Sequence, residues 1–146
     1  MDYREQIRQS FWQGMVKLVI LHQASMGPVY GGGLSKYLCG QGYKISPGTL
    51  YPLLHTLEQE SYLRSRVKVY KGRARKYYET TDSGRFCLNE LRQQVCGIVR
   101  EIIIDNPPEI NPTGRESLNN ISFTSPSCKE SLEGIDSDDH GDAFLP

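Results

Sequence analysis

Residues 45 to 63 combine an apolar stripe with a polar face, which predicts an amphipathic helix. Four leucines follow the i, i+3, i+4, i+7 spacing that places side chains on one face of a helix. These are Leu50, Leu53, Leu54 and Leu57. Ser46 is a candidate N-cap, and Pro47 fits the first helical position, where a missing N–H costs no hydrogen bond. The opposite face carries side chains that can donate, accept or stack: Thr49, Tyr51, His55, Thr56 and Gln59.

The chain after this helix has the pattern of a β-hairpin. Between residues 63 and 70 apolar side chains alternate with polar ones, and residues 71 to 74 predict a basic turn into a second strand over residues 75 to 81. A helix followed by a basic hairpin is typical of the winged helix-turn-helix fold. In that fold the helix enters the DNA major groove and the hairpin, or wing, lies against the phosphate backbone.

Three further helices complete the predicted organisation. The first is predicted over residues 3 to 23, and its apolar surface is wider than one core contact requires. A short second helix is predicted over residues 33 to 40, after glycines that disfavour a helix start. The fourth helix begins after Thr81, a candidate N-cap. Its apolar side chains follow the 3-4-3-4 spacing of a coiled-coil seam: Leu88, Leu91, Val95, Ile98 and Ile102.

The apolar surface of the first and fourth helices predicts a second chain. A helix that is apolar on two sides needs two partners, which here are its own domain and another copy of the chain. We therefore predict a homodimer. The predicted interface residues are Phe11, Trp12, Met15, Leu91, Val95, Ile98 and Ile102. For Trp12, a place in a ligand cavity between the protomers is the open alternative.

Three separated motifs resemble a known family. They are Ser-Pro-Gly-Thr-Leu-Tyr-Pro-Leu-Leu at 46 to 54, Arg-Ala-Arg-Lys-Tyr-Tyr at 73 to 78 and Thr-Asp-Ser-Gly-Arg at 81 to 85. With Gly27-Pro28 and Tyr30-Gly31, residues 10 to 105 resemble the PadR family of bacterial transcriptional regulators. The resemblance implies a mainly α fold with a small β-hairpin wing (α+β), built as a winged helix-turn-helix plus a C-terminal dimerisation helix. The chain departs from the family at residues 31 to 33, where it has three glycines, whereas the family tends to place a bulky aromatic after the second glycine.

The candidate DNA contacts lie on the third helix and on the wing. The resemblance assigns Ser46, Thr49 and Tyr51 to the DNA-reading motif, and His55 lies one helical turn after Tyr51. Cationic side chains suit phosphate, and the wing carries five candidates: Lys68, Lys71, Arg73, Arg75 and Lys76. Two alternatives stay open. Tyr51 can pack against a neighbouring helix beside a solvated His55, and the wing cations can be an ordinary solvated surface.

The formal net charge of zero hides a division along the chain. Residues 1 to 105 hold 15 Lys and Arg against 9 Asp and Glu, whereas residues 106 to 146 hold 2 against 8. We expect a winged helix-turn-helix domain over residues 1 to 81, a dimerisation helix over 82 to 105 and an acidic disordered tail over 106 to 146. The tail is predicted to compete weakly with DNA for the wing. A solubilising extension is the alternative.

Other classes of function have little support in the sequence. No run reaches the roughly 18 apolar residues of a membrane span, and the N-terminus is too polar for a signal peptide, so we expect a cytoplasmic protein. The four cysteines show no Cys-x-x-Cys spacing. The sequence contains no nucleophile elbow, phosphate loop or His-x-x-x-His pair, so it predicts no catalytic site, metal site or cofactor.

The sequence therefore favours a homodimeric repressor that binds double-stranded DNA at a pseudo-palindromic operator. The resemblance implies that a small hydrophobic effector or another signal can release it. The alternative is a protein-interaction module on a winged-helix scaffold, which would dock a partner through the apolar fourth helix. Binding to duplex DNA across a range of salt concentrations distinguishes the two, because only phosphate contacts make affinity fall steeply with salt.

Overall fold

A computed structural model describes residues 2 to 107, which form four helices and three strands. Their bounds are α1 Tyr3–Met26, β1 Val29–Tyr30, α2 Gly31–Gly40, α3 Pro47–Gln59, β2 Leu63–Tyr70, β3 Arg73–Thr80 and α4 Asp82–Val99. Helix α4 continues into a π-helical turn, Arg100–Ile104. The predicted acidic tail lies outside the described residues, apart from residues 106 and 107. Within residues 2 to 107, no helix has the length and apolar content needed to cross a membrane.

The leucine stripe of α3 faces the core, as its spacing predicts. All four leucines are buried, together with side chains from the three strands and the other three helices. The other helices contribute Val16, Ile20, Leu21, Ala24, Leu34, Leu38 and Leu88. The described residues thus form a mainly helical fold with a small antiparallel sheet, which confirms the predicted fold class.

The hairpin of β2 and β3 is confirmed, but its turn is shorter than predicted. The two strands pair up to Tyr70, which lies opposite Arg73. Only Lys71 and Gly72 remain in the turn, with φ angles of 48° and 76°. Positive φ at both central positions matches the right-handed twist of the flanking strands, and glycine adopts it without steric cost.

Strand β1 and the start of α2 were not predicted. Val29 and Tyr30 pair with Tyr78 and Tyr77, so that β3 lies in the centre of a sheet ordered β1-β3-β2. A run of two residues is too short for an alternating pattern to identify a strand. Helix α2 begins directly after β1, at Gly31, and its first three glycines are buried or half-buried beside tyrosine rings. These tertiary contacts outweigh the poor helix propensity of glycine.

Thr81 joins the wing to α4 and is the N-cap that the sequence predicts. Its hydroxyl donates to the carbonyl of Ser61 at 2.6 Å and accepts from the backbone N–H of Gly84 at 3.1 Å. Gly84 is buried against the carbonyl of Tyr62, and an added Cβ would collide with that oxygen. This first turn of α4 therefore requires glycine at position 84.

Helix α4 leaves the core along its length. Leu88 is buried and Leu91 and Val95 are half-buried, whereas Ile98 is 54% exposed. The apolar seam is thus covered by the same chain only in its first half. Its second half presents apolar side chains to solvent in the described chain.

A π-helical turn lies at the far end of the predicted seam. The backbone N–H of Asp105 bonds to the carbonyl of Arg100 at 2.9 Å, one residue further than in an α-helix. The 3-4-3-4 spacing assumes α-helical geometry as far as Ile102. The seam spacing is therefore α-helical only as far as Ile98, and Ile102 lies within the π-helical turn.

Candidate nucleic-acid interface

Of the four predicted DNA-reading residues, Thr49, Tyr51 and His55 lie on α3, and Ser46 directly precedes it. His55 is exposed and Tyr51 is 51% exposed. Ser46 and Thr49 are half-buried at the start of the helix, with their hydroxyl oxygens 3.1 Å apart. Ser46 occupies the N-cap position, but its hydroxyl turns to Thr49 and not to a backbone N–H. The predicted capping role of the Ser46 side chain is therefore wrong.

The ring of Tyr51 lies against the start of α2. A Cβ placed on Gly31 would come within 2.6 Å of Tyr51 Cε1 and 2.7 Å of its hydroxyl oxygen. Side chains in folded proteins do not approach this closely, so the ring occupies the space that a larger residue at position 31 would need. Tyr51 is thus half exposed on α3 and also packed on the start of α2, which is the packing that the sequence left open as an alternative.

The strand register divides the wing into two faces. Residues paired across adjacent strands share a face of the sheet. The inner face packs on the core at the base of the hairpin. Val67 and Val69 lie on the same face nearer the tip, beyond the core, and are 66% and 74% exposed. Residues 63 to 80 hold seven Lys and Arg against one Glu. The outer face carries most of these cations together with two tyrosines: Arg64, Arg66, Lys68, Tyr70, Arg73, Arg75 and Tyr77.

Arg75 lies between two tyrosine rings on this outer face. Its guanidinium carbon is 4.9 Å from the ring centroid of Tyr30 and 4.9 Å from that of Tyr70. The rings of Tyr30 and Tyr77 meet edge to face, with centroids 5.6 Å apart. A guanidinium within about 6 Å of a ring centroid is attracted to the negative face of the ring. We call Tyr30, Tyr70, Arg75 and Tyr77 the wing stack.

Two lysines extend the wing stack at its ends. Lys68 Nζ lies 5.8 Å from the ring centroid of Tyr77, and Lys71 Nζ lies 5.5 Å from that of Tyr70. Lys68, Lys71 and Arg73 are exposed, whereas Arg75 is half-buried. These four predicted phosphate contacts are therefore of two kinds. Lys68, Lys71 and Arg73 present their charge at the surface, and Arg75 is held between rings of the protein.

Lys76 lies on the inner face and is bound to α3. Its ammonium group forms an ion pair with Glu58 at 2.7 Å, and the Ser65 hydroxyl donates to the same carboxylate. Hydrogen bonds from Lys76 and then Ser65 hold the pKa of Glu58 below its ordinary value. The carboxylate in turn raises the pKa of Lys76. Glu58 thus connects the end of α3 to both strands of the wing.

Comparison with known proteins identifies the family. Residues 20 to 90 match the transcriptional regulator PadR-like family. A transcriptional regulator of Mycobacterium tuberculosis is 42% identical over 95 residues, which cover 65% of this chain and 89% of that protein. The chain belongs to the PadR-like family of transcriptional regulators.

Solved structures of PadR-like proteins share the fold. A PadR family transcriptional regulator from Eggerthella lenta is 32% identical, with a TM-score of 0.58, and the match covers 73% of this chain and 93% of that one. A PadR-like transcriptional regulator from Bacillus cereus is 33% identical, also with a TM-score of 0.58, and the match covers 66% of this chain and 94% of that one. The described helices and sheet are therefore those of a PadR-like regulator.

The PadR-like match separates the two sets of predicted site residues. Every predicted DNA contact lies between residues 46 and 76, inside the matched region of residues 20 to 90. Every predicted interface residue lies outside it. The predicted DNA contacts therefore fall in the part of the chain that carries the family pattern. The support for the predicted interface residues comes instead from their exposure.

The predicted interface residues differ in exposure. Phe11 is 69% exposed, whereas Met15 and Trp12 are half-buried. The Trp12 ring packs on that of Tyr43, with centroids 5.0 Å apart. On α4, Leu91 and Val95 are half-buried and the isoleucines beyond them are exposed. The exposed apolar side chains thus lie near the start of α1 and the end of α4, while Trp12 already has a partner in its own chain.

Sequence reasoning missed several residues of this candidate site. Tyr70 and Tyr77 share the outer face with the wing cations, and the period of two along each strand carries that signal. Tyr30 and Gly31 carried no periodic signal, because they belong to a two-residue strand and an unpredicted helix start, and only the family resemblance included them. Glu58 lies on the helix flank, where sequence alone does not reveal its contact with Lys76.

Proposed function

We propose that this PadR-like regulator is a homodimeric repressor that binds double-stranded DNA at a pseudo-palindromic operator. The observation that carries the proposal is the exposed outer face of α3, with Tyr51 and His55, beside a wing with seven cations and one acid. An exposed helix face suits base edges in the major groove, and cations suit the phosphate backbone. Repression is then steric, because the bound protein excludes the polymerase from the promoter.

The apolar ends of α1 and α4 support the dimer. Phe11, Ile98 and Ile102 are 69%, 54% and 60% exposed. Soluble proteins rarely leave contiguous apolar patches open, and a second copy covers them symmetrically. Two copies would carry two α3 helices, one for each half-site, and half-sites lie about 34 Å apart on one side of the duplex.

Release by a small hydrophobic effector is part of the proposal and rests on the family resemblance. An effector acts by changing the separation of the two α3 helices, since both must fit their half-sites at once. Trp12, the single tryptophan of the chain, lies on α1, and its ring packs beside that of Tyr43. Its fluorescence would therefore report a ligand that binds near this helix.

Binding to duplex DNA across a salt series tests the proposed function. For B-DNA, log K falls by about 0.9 per tenfold rise in salt for each phosphate neutralised. Arg73→Ala should lower this slope by about one contact and weaken operator and random duplex alike. Lys76→Ala is the matched control, because it removes one positive charge from the same strand, but Lys76 is held by Glu58 on the inner face.

Two outcomes would contradict the proposal. Equal losses of slope in Arg73→Ala and Lys76→Ala would mean that the charge of the wing matters and its placement does not. Wild-type binding whose affinity does not change with salt concentration would favour the protein-interaction module, which docks a partner through apolar surface.

Tyr51→Ala should lose more affinity for the operator than for random duplex, because a side chain on the outer face of α3 can read base edges.

A further inference from the structure

The wing stack forms an unbroken series of contacts from the helix-turn-helix to the tip of the wing. The ring of Tyr30 covers the first turn of α2, where a Cβ on Gly33 would lie 3.0 Å from Tyr30 Cε1 and one on Gly32 would lie 3.2 Å from Cε2. The guanidinium of Arg75 also packs on the ring of Tyr30, and it contacts the ring of Tyr70 as well. Tyr70 is the last residue of β2, directly before the turn. The three contacts therefore join α2 to the end of the hairpin.

We infer that Arg75 is a positioning residue, which holds the wing at a fixed angle to the helix-turn-helix through Tyr30 and Tyr70. The inference rests on the proposed DNA binding. Lys71 and Arg73 at the tip, not Arg75, then make the phosphate contacts. Arg75 acts on the DNA through the position of those two residues.

The charge of the wing explains why tyrosine rings suit this role. Arg75 lies directly opposite Lys68 in the strand register, and like charges in that position destabilise a strand pair. Glu79 pairs with Arg64 at the base of the wing. A carboxylate beside Arg75, nearer the tip, would relieve the repulsion there but would also repel the phosphates that the wing is proposed to meet. The negative face of an aromatic ring attracts a cation without adding a net charge. The wing stack thus steadies a cationic hairpin and leaves its positive charge intact.

The outer half of the wing also depends on contacts of its own. Val67 and Val69 are largely exposed, so the core supports only the base of the hairpin. An isolated two-stranded hairpin is marginally stable in water. Without the wing stack, the turn at Lys71 and Gly72 would sample many positions, and its phosphate contacts would form only part of the time.

The test is the salt dependence of binding to a random-sequence duplex, measured on the full chain with uncharged substitutions. Tyr70→Leu and Tyr30→Leu remove a ring from either side of Arg75 and leave every charge in place. We expect each to lower the salt slope by about 0.9 to 1.8, the value of one or two lost phosphate contacts. Affinity should fall about fivefold, in line with the loss of one cation–ring contact. Tyr70→Phe and Tyr30→Phe keep the rings and should behave as the wild type.

Amide hydrogen exchange without DNA gives a second readout, independent of the proposed function. Backbone amides of residues 66 to 75 should exchange faster in Tyr70→Leu than in the wild type, and Tyr70→Phe should restore protection. Tyr70 lies outside the core, so this variant keeps the test valid if Tyr30→Leu fails to fold.

The outcomes separate the inference from the proposed function. Unchanged salt slope and unchanged exchange in Tyr70→Leu would overturn the inference and leave the DNA proposal standing. A phenylalanine variant as weak as its leucine counterpart would also overturn it, because the hydroxyl and not the ring would then be responsible. A wild type without salt dependence would refute the DNA proposal, while faster exchange in Tyr70→Leu would still support Arg75 as the residue that positions the wing.

Discussion

The ring of Tyr51 rests on the backbone of Gly31, so that the exposed face of α3 and the first residue of α2 share one contact. Tyr51 is half exposed, and the contact fixes the direction in which it projects. A side chain larger than hydrogen at position 31 would take the place of the ring. The glycine where α2 begins therefore determines how α3 presents its tyrosine.

Gly31→Ala is expected to weaken operator binding by displacing the Tyr51 ring. The new Cβ would lie 2.6 Å from Tyr51 Cε1, and the ring, as the far end of a partly exposed side chain, can rotate away without disturbing the core. Operator affinity should be measured for Gly31→Ala, Tyr51→Ala and the double variant. Because both changes act through one ring, the double variant should lose no more than Tyr51→Ala alone. Additive losses would show that Gly31 acts by another route.

Gly84→Ala is expected to destabilise the fold by about 3 kcal/mol, the upper range for forcing atoms into a packed site. The added Cβ would collide with the carbonyl of Tyr62, and backbone there cannot move aside cheaply. Gly97→Ala is the matched control on the same helix, since its Cβ would meet nothing within 4 Å. It should stabilise α4 by about 0.5 to 1 kcal/mol. Denaturant unfolding of both variants checks the prediction, and equal stabilities would contradict it.

The ion pair of Glu58 with Lys76 is expected to give a small pH dependence of stability. Because the folded protein lowers the pKa of Glu58 from its ordinary value of 4.5, the stabilisation is complete above that value and is lost as pH falls through the lower folded value. A partly exposed pair of this kind contributes about 0.5 to 1 kcal/mol. Glu58→Gln should therefore lower the free energy of unfolding at neutral pH. It should not lower it at pH values below the pKa that Glu58 has in the folded protein.

Glu60→Gln is the control for this comparison, because Glu60 is an exposed carboxylate two positions away. Its unfolding curve should follow the wild type at both pH values. A Glu58→Gln variant that is equally destabilised in acid and at neutral pH would mean that packing, not charge, is responsible.

Ile98→Asp is expected to produce a folded monomer. Ile98 is 54% exposed in the described chain, so the change leaves the core of the subunit intact. In the proposed dimer it would bury a charge, at a cost of several kcal/mol. Sedimentation should show half the wild-type mass, with unchanged helix content by circular dichroism. Gln93→Asp, at an exposed position on the side of α4 opposite the seam, should remain dimeric, and a dimeric Ile98→Asp would assign the contact to α1 alone.

Truncation after Asp105 tests the predicted role of the acidic tail. Residues 106 to 146 carry 8 Asp and Glu against 2 Lys and Arg, and a tethered segment reaches roughly millimolar effective concentration. The shortened protein should bind random duplex several-fold more tightly at low salt. The gain should fade as salt rises, because charges are screened beyond about 8 Å at physiological ionic strength. Equal affinity at low salt would assign the tail no part in DNA binding.

The elements with strong periodicity or a cap were predictable from the sequence. The leucine stripe of α3, the alternation of the wing and the Thr81 cap each depend on local chemistry, and the structure confirms all three. Strand β1 depends instead on pairing with a strand far along the chain, since Val29 pairs with Tyr78, 49 residues later. The π-helical turn was likewise beyond prediction, because the apolar spacing of α4 continues through it.

The candidate site was predicted in outline, and its internal contacts were not. Residue type and strand period placed the cations on the wing, but Lys76 falls on the inner face and meets Glu58 only after folding. The same limit applies to Arg75. Its charge suggested phosphate, whereas its position between two rings depends on a tyrosine 45 residues earlier in the chain.

The carboxylate of Glu58 has a mechanical consequence for the proposed switch. It binds Lys76 on β3 and Ser65 on β2, so the end of α3 is fastened to both strands of the wing. A rotation of α3 would carry the hairpin with it. Contacts in the major groove and contacts with the phosphate backbone would then be lost together. The regulator would pass from the bound to the released state without an intermediate that keeps only one of the two sets of contacts.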